Sequence, residues 1–203
     1  GFNELLSFED AEVDPGIAAD TTPFTDDEKA AEIETALWGD TDGDGDLDEG
    51  YVYGSRSFAI WDADGRLLFD SGSQMELITA QRFGINFNND NDELDPDGKS
   101  DAAGPEPEAL AVGQVGNAWY AFVGSEDMGG IFVYDITQPH SPDFVQYLNN
   151  RDLTFTTEPE DDADGDYGPE GFTFVSAADS PTGVPLLVVA SEVSGSTTVY
   201  AIT

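Results

Sequence analysis

The feature that most constrains this fold is a series of four short apolar segments between residues 104 and 149. Each is rich in Val, Phe, Tyr or Ile and is bounded by Gly, Pro, Asn or Asp, which is the pattern of β-strands separated by turns. Four such strands within about 45 residues predict one up-and-down antiparallel sheet, the size of a β-propeller blade. The segments are Ala109–Val115, Trp119–Gly124, Ile131–Ile136 and Phe144–Leu148.

Much of this stretch returns near the C-terminus. Pro107-Glu108-Ala109 recurs as Pro169-Glu170-Gly171, and the runs at 121–126 and 132–137 recur at 187–192 and 198–203. The three matches keep their order and nearly their spacing, which predicts a repeated blade. In the second copy we expect three strands, at 171–175, 186–190 and 197–202.

A degenerate third blade is predicted from the strand patterns at 51–53, 57–61 and 67–70, with a hairpin turn at Asp62–Gly65. Arg56 stands where the other copies carry Glu126 and Glu192. We therefore expect an all-β chain, a partial propeller of about three four-stranded blades in one domain. Its predicted parts are a lead-in at 1–38, blades at 39–85 and 105–150, and an incomplete blade at 168–203.

Helical spacing is confined to two places. Lys29–Trp38 follows a capping-box pattern at residues 25–28 and predicts one short helix. Met75–Phe83 is predicted to form one or two helical turns. The sequence therefore predicts a chain of β-blades with one short helix.

The charge balance restricts the partners. The 203 residues include 43 acidic and 6 basic side chains, a formal charge of −37, which argues against binding to nucleic acid or an anionic membrane and favours cations as partners. Part of this acidity is typical of the solvated surface of a halophilic protein. The absence of cysteine excludes disulfides, thiol catalysis and cysteine–zinc sites. No apolar run approaches the roughly 20 residues of a membrane span.

The acidic segment from residue 40 to residue 49 matches the pattern of a calcium loop. Carboxylates at its first, third, fifth and ninth positions, with a backbone carbonyl at the seventh, can surround one hard cation, and Gly45 at the sixth permits the turn. An ordinary acidic turn is the alternative, and the complete ligand pattern favours calcium. The predicted ligands are Asp40, Asp42, Asp44 and Asp48 through side chains and Asp46 through its carbonyl.

Four glutamates recur at equivalent blade positions and form a second candidate site. Glu108 and Glu170 begin a first strand, and Glu126 and Glu192 end a second, so they would converge near the axis of a propeller. They either coordinate calcium or fix blade packing through loop amides and arginines. The Asn/Asp-rich loop at 86–104 either folds around another cation or is a flexible excursion.

Three segments of the chain resemble the choice-of-anchor I family. They are SRSFAIWDADGRLLFDSG, GPEPEALAVG with YAFVGSE and GGIFVYDIT, and GPEGFTFV with PLLVVASEVSGSTTVY, and the resemblance covers about residues 38–203. Members are exported β-propeller proteins, some labelled mesenchyme-specific cell-surface glycoprotein homologues or alkaline phosphatases. The resemblance implies an extracellular, cell-surface or periplasmic location, and a propeller of about seven blades of which this chain is the C-terminal part.

Two functions are open on the sequence. The first is a calcium-stabilised surface propeller that binds a partner or has a structural role, completed by the remaining blades or by another copy of the chain. The second is a calcium-dependent phosphoesterase, alkaline phosphatase-like or phytase-like, in which metal-assisted water attacks a phosphate ester and Arg56 orients the phosphate. His140, the one histidine, is expected in a surface turn.

Overall fold

The computed structural model describes residues 5–7, 34–44, 47–51, 56–91, 94–151, 153 and 165–203. The chain divides into two compact units, residues 1–54 with 100–103 and residues 55–99 with 104–203. The described part is mostly β, with antiparallel sheets and one α-helix. The sheets contain four, three, two and two strands and form no closed ring among the described residues.

The first unit contains a two-stranded antiparallel sheet. Strand β1 (Leu5–Ser7) pairs with β2 (Glu34–Ala36), and a 3-10 turn (Leu37–Gly39) follows. The helix predicted over Lys29–Trp38 is therefore wrong at residues 34–36, ends in a 3-10 turn at residues 37–38, and otherwise lies outside the described residues. The helical spacing is a local signal, whereas the extended backbone here is fixed by pairing with a strand far upstream.

The second unit is built on the four-stranded sheet that the sequence predicts. Its strands are β5, β6, β7 and β8, adjacent in space in chain order and all antiparallel. Glycine at position 116, with φ of 62°, supports the two-residue turn between β5 and β6. The strand bounds are Pro107–Val115, Ala118–Ser125, Ile131–Asp135 and Asp143–Leu148.

A three-stranded sheet packs on one face of the first. It consists of β9 (Pro169–Val175), β10 (Leu186–Ser191) and β11 (Thr197–Ala201), in the order β11-β10-β9. Phe122 and Phe174 stack between the sheets with ring centroids 6.1 Å apart. These three strands match the predicted second copy of the repeat.

The opposite face of the four-stranded sheet is covered by α1 (Gln74–Phe83). Met75 and Thr79, four residues apart on one helix face, are both fully buried, and Met75 packs against Phe132 and Tyr134. This burial accounts for a helix of 10 residues where one or two turns were expected. No helix in the described part of the chain is long and apolar enough to cross a membrane.

Before α1 lies a hairpin of β3 (Ala59–Trp61) and β4 (Leu67–Asp70). Asp62 Oδ1 accepts hydrogen bonds from the backbone N–H groups of Asp64 and Arg66, both at 2.9 Å, which closes the predicted turn. Residues 52–55 lie outside the described residues. Two of the three strands predicted for the degenerate third blade, at 57–61 and 67–70, thus form this hairpin, and the strand predicted at 51–53 lies mostly outside the described residues.

Candidate metal centre

The acidic loop of the first unit begins after Gly39 and returns to the carbonyl group of the same residue. The backbone N–H groups of Asp48 and Glu49 donate to the Gly39 carbonyl at 2.8 and 3.1 Å, which closes the loop. A Cβ at Gly39 would lie 1.8 Å from the Glu49 carbonyl oxygen, so only glycine fits there. Leu47 is 4% exposed and anchors the returning segment. The loop is therefore held at its base before any ion binds.

Three of the predicted ligands come together in this loop. Asp40, Asp42 and Asp48 each offer one carboxylate oxygen, and the three atoms lie within 4.8 Å of one another. Two oxygens bound to one Ca²⁺ at 2.3–2.6 Å lie no more than about 5 Å apart, so the group fits such an ion. Asp44 is exposed and is not part of this group, and Asp46 lies outside the described residues.

Short hydrogen bonds orient two of these carboxylates. Gly43 N–H donates to Asp40 Oδ1 at 2.6 Å, and its φ of 84° is a backbone conformation that favours glycine. The backbone N–H and the hydroxyl of Thr41 donate to Asp48 Oδ2 at 2.9 and 2.7 Å. The loop therefore turns carboxylates toward a common point through its own backbone.

Charge repulsion within the loop acts on Asp42. The charge of Asp44 raises the pKa of Asp42, and Asp48 and Asp40 add to the effect. The hydrogen bonds from Thr41 lower the pKa of Asp48. A cation among these groups would relieve the repulsion at Asp42 and favour the fully ionised loop.

The four repeated glutamates lie in two pairs in the second unit. Glu126 is within hydrogen-bonding reach of Glu108, and Glu170 of Glu192. The charge of Glu108 also acts on Glu170, so the two pairs are neighbours. Two carboxyl groups at this range disfavour each other's ionisation, and a proton or a cation between them relieves the repulsion. Calcium binding by these four residues remains a prediction.

The pKa of Glu126 is raised by its close contact with Glu108. The hydrogen bond with Glu108 contributes most, followed by burial and the charge of Glu106, and the pKa rises to about 8. Asn91 Nδ2 donates to Glu126 Oε1 at 3.1 Å. Glu108 is exposed, so the pair opens to solvent on one side.

Two further acids beside these pairs were missed by the sequence reasoning. Glu106 precedes β5, and Asp127 follows β6 and is 1% exposed. Burial and the charge of Glu106 raise the pKa of Asp127 to about 7. The repeat drew attention to acids present in both copies, and Glu106 and Asp127 correspond to Gly168 and Val193 in the second copy.

The described part of the Asn/Asp-rich loop is folded on its own hydrogen bonds. Asn88 and Asn89 are fully buried. The Asn88 carbonyl accepts a hydrogen bond from Lys99 N–H at 3.0 Å, and Asn89 Oδ1 accepts one from Asp95 N–H at 3.0 Å. The Lys99 ammonium lies 2.9 Å from Asp90 Oδ2. The loop thereby brings a single lysine to the acids beside β5 and β6.

Comparison with known proteins agrees with the resemblance seen in the sequence. The profile of the choice-of-anchor I domain matches residues 5–139, which is more than half of the chain. The chain belongs to the choice-of-anchor I family. The matched region contains the acidic loop together with Glu108, Glu126 and Asp127, and it ends before Glu170. It starts earlier and ends earlier than the resemblance at residues 38–203 had indicated.

A relative of this choice-of-anchor I chain is Gigasin-3a from Magallana gigas. The two are 30% identical over 167 residues, which cover 77% of this chain and 59% of Gigasin-3a. The chain thus spans less than two thirds of the length of that relative. No solved structure matches the chain.

Proposed function

We propose that this choice-of-anchor I chain is a secreted or cell-surface calcium-binding β-propeller module with a binding or structural role. The observation that carries the proposal is the group of Asp40, Asp42 and Asp48, whose carboxylate oxygens lie within 4.8 Å of one another. Oxygen-only ligands on a loop closed by backbone hydrogen bonds suit a hard cation such as calcium. Family membership supports the location, and the repeated sheets support the propeller.

Calcium at this loop has a structural role in the proposal. The carboxylates repel each other without an ion, and an ion that binds only the folded loop stabilises it by mass action. The stabilisation reaches about 2.7 kcal/mol when free calcium is 100 times the dissociation constant. The first unit would then hold its shape in calcium-containing surroundings and loosen when calcium is withdrawn.

The alternative, a calcium-dependent phosphoesterase, has less support from the contacts of its expected residues. Arg56, which would orient the phosphate, donates to Glu76 Oε1 at 2.8 Å. His140 is exposed in the turn between β7 and β8, as expected. A binding or structural role is therefore the proposal that the described contacts favour.

Calcium titration of the chelator-treated chain tests the proposal. We expect the Asp40→Asn/Asp42→Asn variant to bind one calcium ion fewer than the wild type by calorimetry, and to lose the calcium-induced rise in Tm of the first unit. The control Asp64→Asn/Asp143→Asn makes the same change of charge at exposed positions of the second unit and should bind as the wild type does. Equal calcium binding by all three proteins would refute the proposal.

A further inference from the structure

The two copies of the repeat carry different residues at two positions that are structurally equivalent in the backbone. Glu126 N–H donates to the Glu106 carbonyl at 2.9 Å, and Glu192 N–H donates to the Gly168 carbonyl at 2.8 Å. Glu106 and Gly168 therefore occupy equivalent positions before a Pro-Glu strand start. By the same register, Asp127 is equivalent to Val193.

The second copy of the repeat folds with Gly168 and Val193 at these two positions, so the fold itself does not require acids there. Gly168 and Val193 are adjacent, since a Cβ on Gly168 would lie 2.7 Å from Val193 Cγ2. Both Gly168 and Glu106 have positive φ, 68° and 44°. Glycine adopts this backbone freely, whereas glutamate does so at a steric cost. The acids of the first copy are therefore additions that the fold does not require.

Asp127 is a buried carboxylate that lacks a hydrogen-bond donor on one oxygen. Its side chain is 2% exposed, and Lys99 Nζ lies 3.6 Å from its Oδ1. Its Oδ2 is fully buried and meets no hydrogen-bond donor in the described part of the chain. The Glu106 carboxyl lies within hydrogen-bonding reach of Asp127. Two acids thus face one another where a buried charge needs a positive partner.

The positive charges of Lys99 and Arg151 do not neutralise all the carboxylates beside Asp127. The Lys99 ammonium is shared with Asp90, whose Oδ2 is 2.9 Å away, and is therefore only partly available to Asp127. Arg151 Nη1 donates at 2.9 Å to the backbone carbonyl of Asp127, and the Arg151 charge also acts on the carboxylates of Asp90 and Asp127, so this second cation is shared as well. The charge of Glu106 raises the pKa of both Asp127 and Glu126. The group therefore carries an excess of negative charge around the donor-free oxygen.

We propose that Glu106 and Asp127 bind one hard divalent cation of the calcium class between their carboxylates, independently of the Asp40–Asp48 loop. The chain has no cysteine and a single histidine, which lies in the turn after β7, so the available ligands are oxygens. Backbone carbonyls and waters complete the shell of such an ion. The site goes beyond the proposed function, which rests on the first unit.

The test uses the whole chain in the Asp40→Asn/Asp42→Asn background, so that calcium binding at the loop does not enter the result. In this background we compare the parent, the swap Glu106→Gly/Asp127→Val, the single variant Asp127→Asn and the exposed control Asp143→Asn. The swap installs the residues of the second copy, which the fold already accepts. Calcium binding is measured by calorimetry after chelation, and Tm is measured with and without calcium.

We expect the parent and the Asp143→Asn control to bind calcium and to melt higher in its presence. The swap and Asp127→Asn should bind at least tenfold more weakly and show no such rise. In chelator the swap should melt no lower than the parent, because it removes buried charge and backbone strain. A swap that binds as many calcium ions as the parent, with the same affinity, would overturn the proposal. So would a parent that binds no calcium at pH 7 or pH 9, which would leave a pair that only shares a proton.

Discussion

At the scale of single residues, carboxyl groups that face one another make the stability of the second unit depend on pH. The pKa of Glu126 is raised to about 8 and that of Asp127 to about 7. A carboxyl group whose folded pKa exceeds its unfolded value binds more protons in the folded state. Its contribution to stability is complete below the unfolded pKa and is lost as pH rises through the folded pKa.

The free energy of unfolding in chelator should therefore fall between about pH 4.5 and pH 8. We expect a loss of about 1–2 kcal/mol, since solvent screens partly exposed carboxylates. Urea denaturation at several pH values measures it. The Glu126→Gln variant should reduce the pH dependence, because it removes the titrating group and keeps its shape. A stability that rises over this pH range in chelator would contradict the sign of these pKa shifts.

At the scale of elements, the packing of the two large sheets depends on glycines without side chains at the contact. A Cβ at Gly113 in β5 would lie 2.4 Å from the ring of Phe174 in β9. A Cβ at Gly124 in β6 would lie 2.8 Å from Phe172 Cζ. Strands β5 and β6 can approach β9 closely only because neither glycine carries a side chain.

Gly113→Ala should destabilise the second unit by about 1–3 kcal/mol, because the added methyl group forces the partly buried ring of Phe174 to move. Gly171→Ala is the matched control, since its Cβ would meet Ala190 Cβ at an ordinary 3.4 Å and should change stability by less than about 0.5 kcal/mol. Chemical denaturation measures both. A change in the free energy of unfolding for Gly113→Ala as small as that for Gly171→Ala would show that the sheets can separate at this contact without cost.

The elements also show where sequence reasoning succeeds. The strands of the two large sheets were predicted within a few residues because alternation and turn residues are local signals. The helix predicted over Lys29–Trp38 is wrong at residues 34–36 because the partner of β2, strand β1, lies 27 residues or more before it. Asp127 was missed for a similar reason, since its burial and its position opposite Glu106 arise from packing between distant segments. The grouping of Asp40, Asp42 and Asp48 could be predicted because the three residues lie within nine positions of one another in a single loop.

At the scale of the whole molecule, the second unit leaves apolar surface uncovered. Strand β11 pairs with β10, and no described strand pairs with its other edge. Val199 on this strand is 56% exposed. A groove of about 360 Å³ between the two large sheets is lined by residues such as Val145, Leu148, Tyr200 and Ile202. Open edges and exposed apolar side chains of this kind favour association.

The isolated 203-residue chain should therefore self-associate. Sedimentation at about 1 M salt, where repulsion between the many acidic groups is screened, should show a mass that rises with concentration. Val199→Lys should shift the population toward monomer, and Leu77→Lys, at a 57% exposed position on α1, should not. A compact monomer at every concentration, with cooperative unfolding, would contradict this expectation.

The glycines at the sheet contact have a geometric consequence. β5 and β9 are in close contact, while the outer strands β8 and β11 stand apart across the groove. The pair of sheets is therefore a wedge, thin at one edge and thick at the other. Wedges stacked in this way turn through the same angle at each step, so further sheets would follow an arc around the thin edge and could not extend in a straight row. A side chain at Gly113 would thicken that edge and flatten the arc.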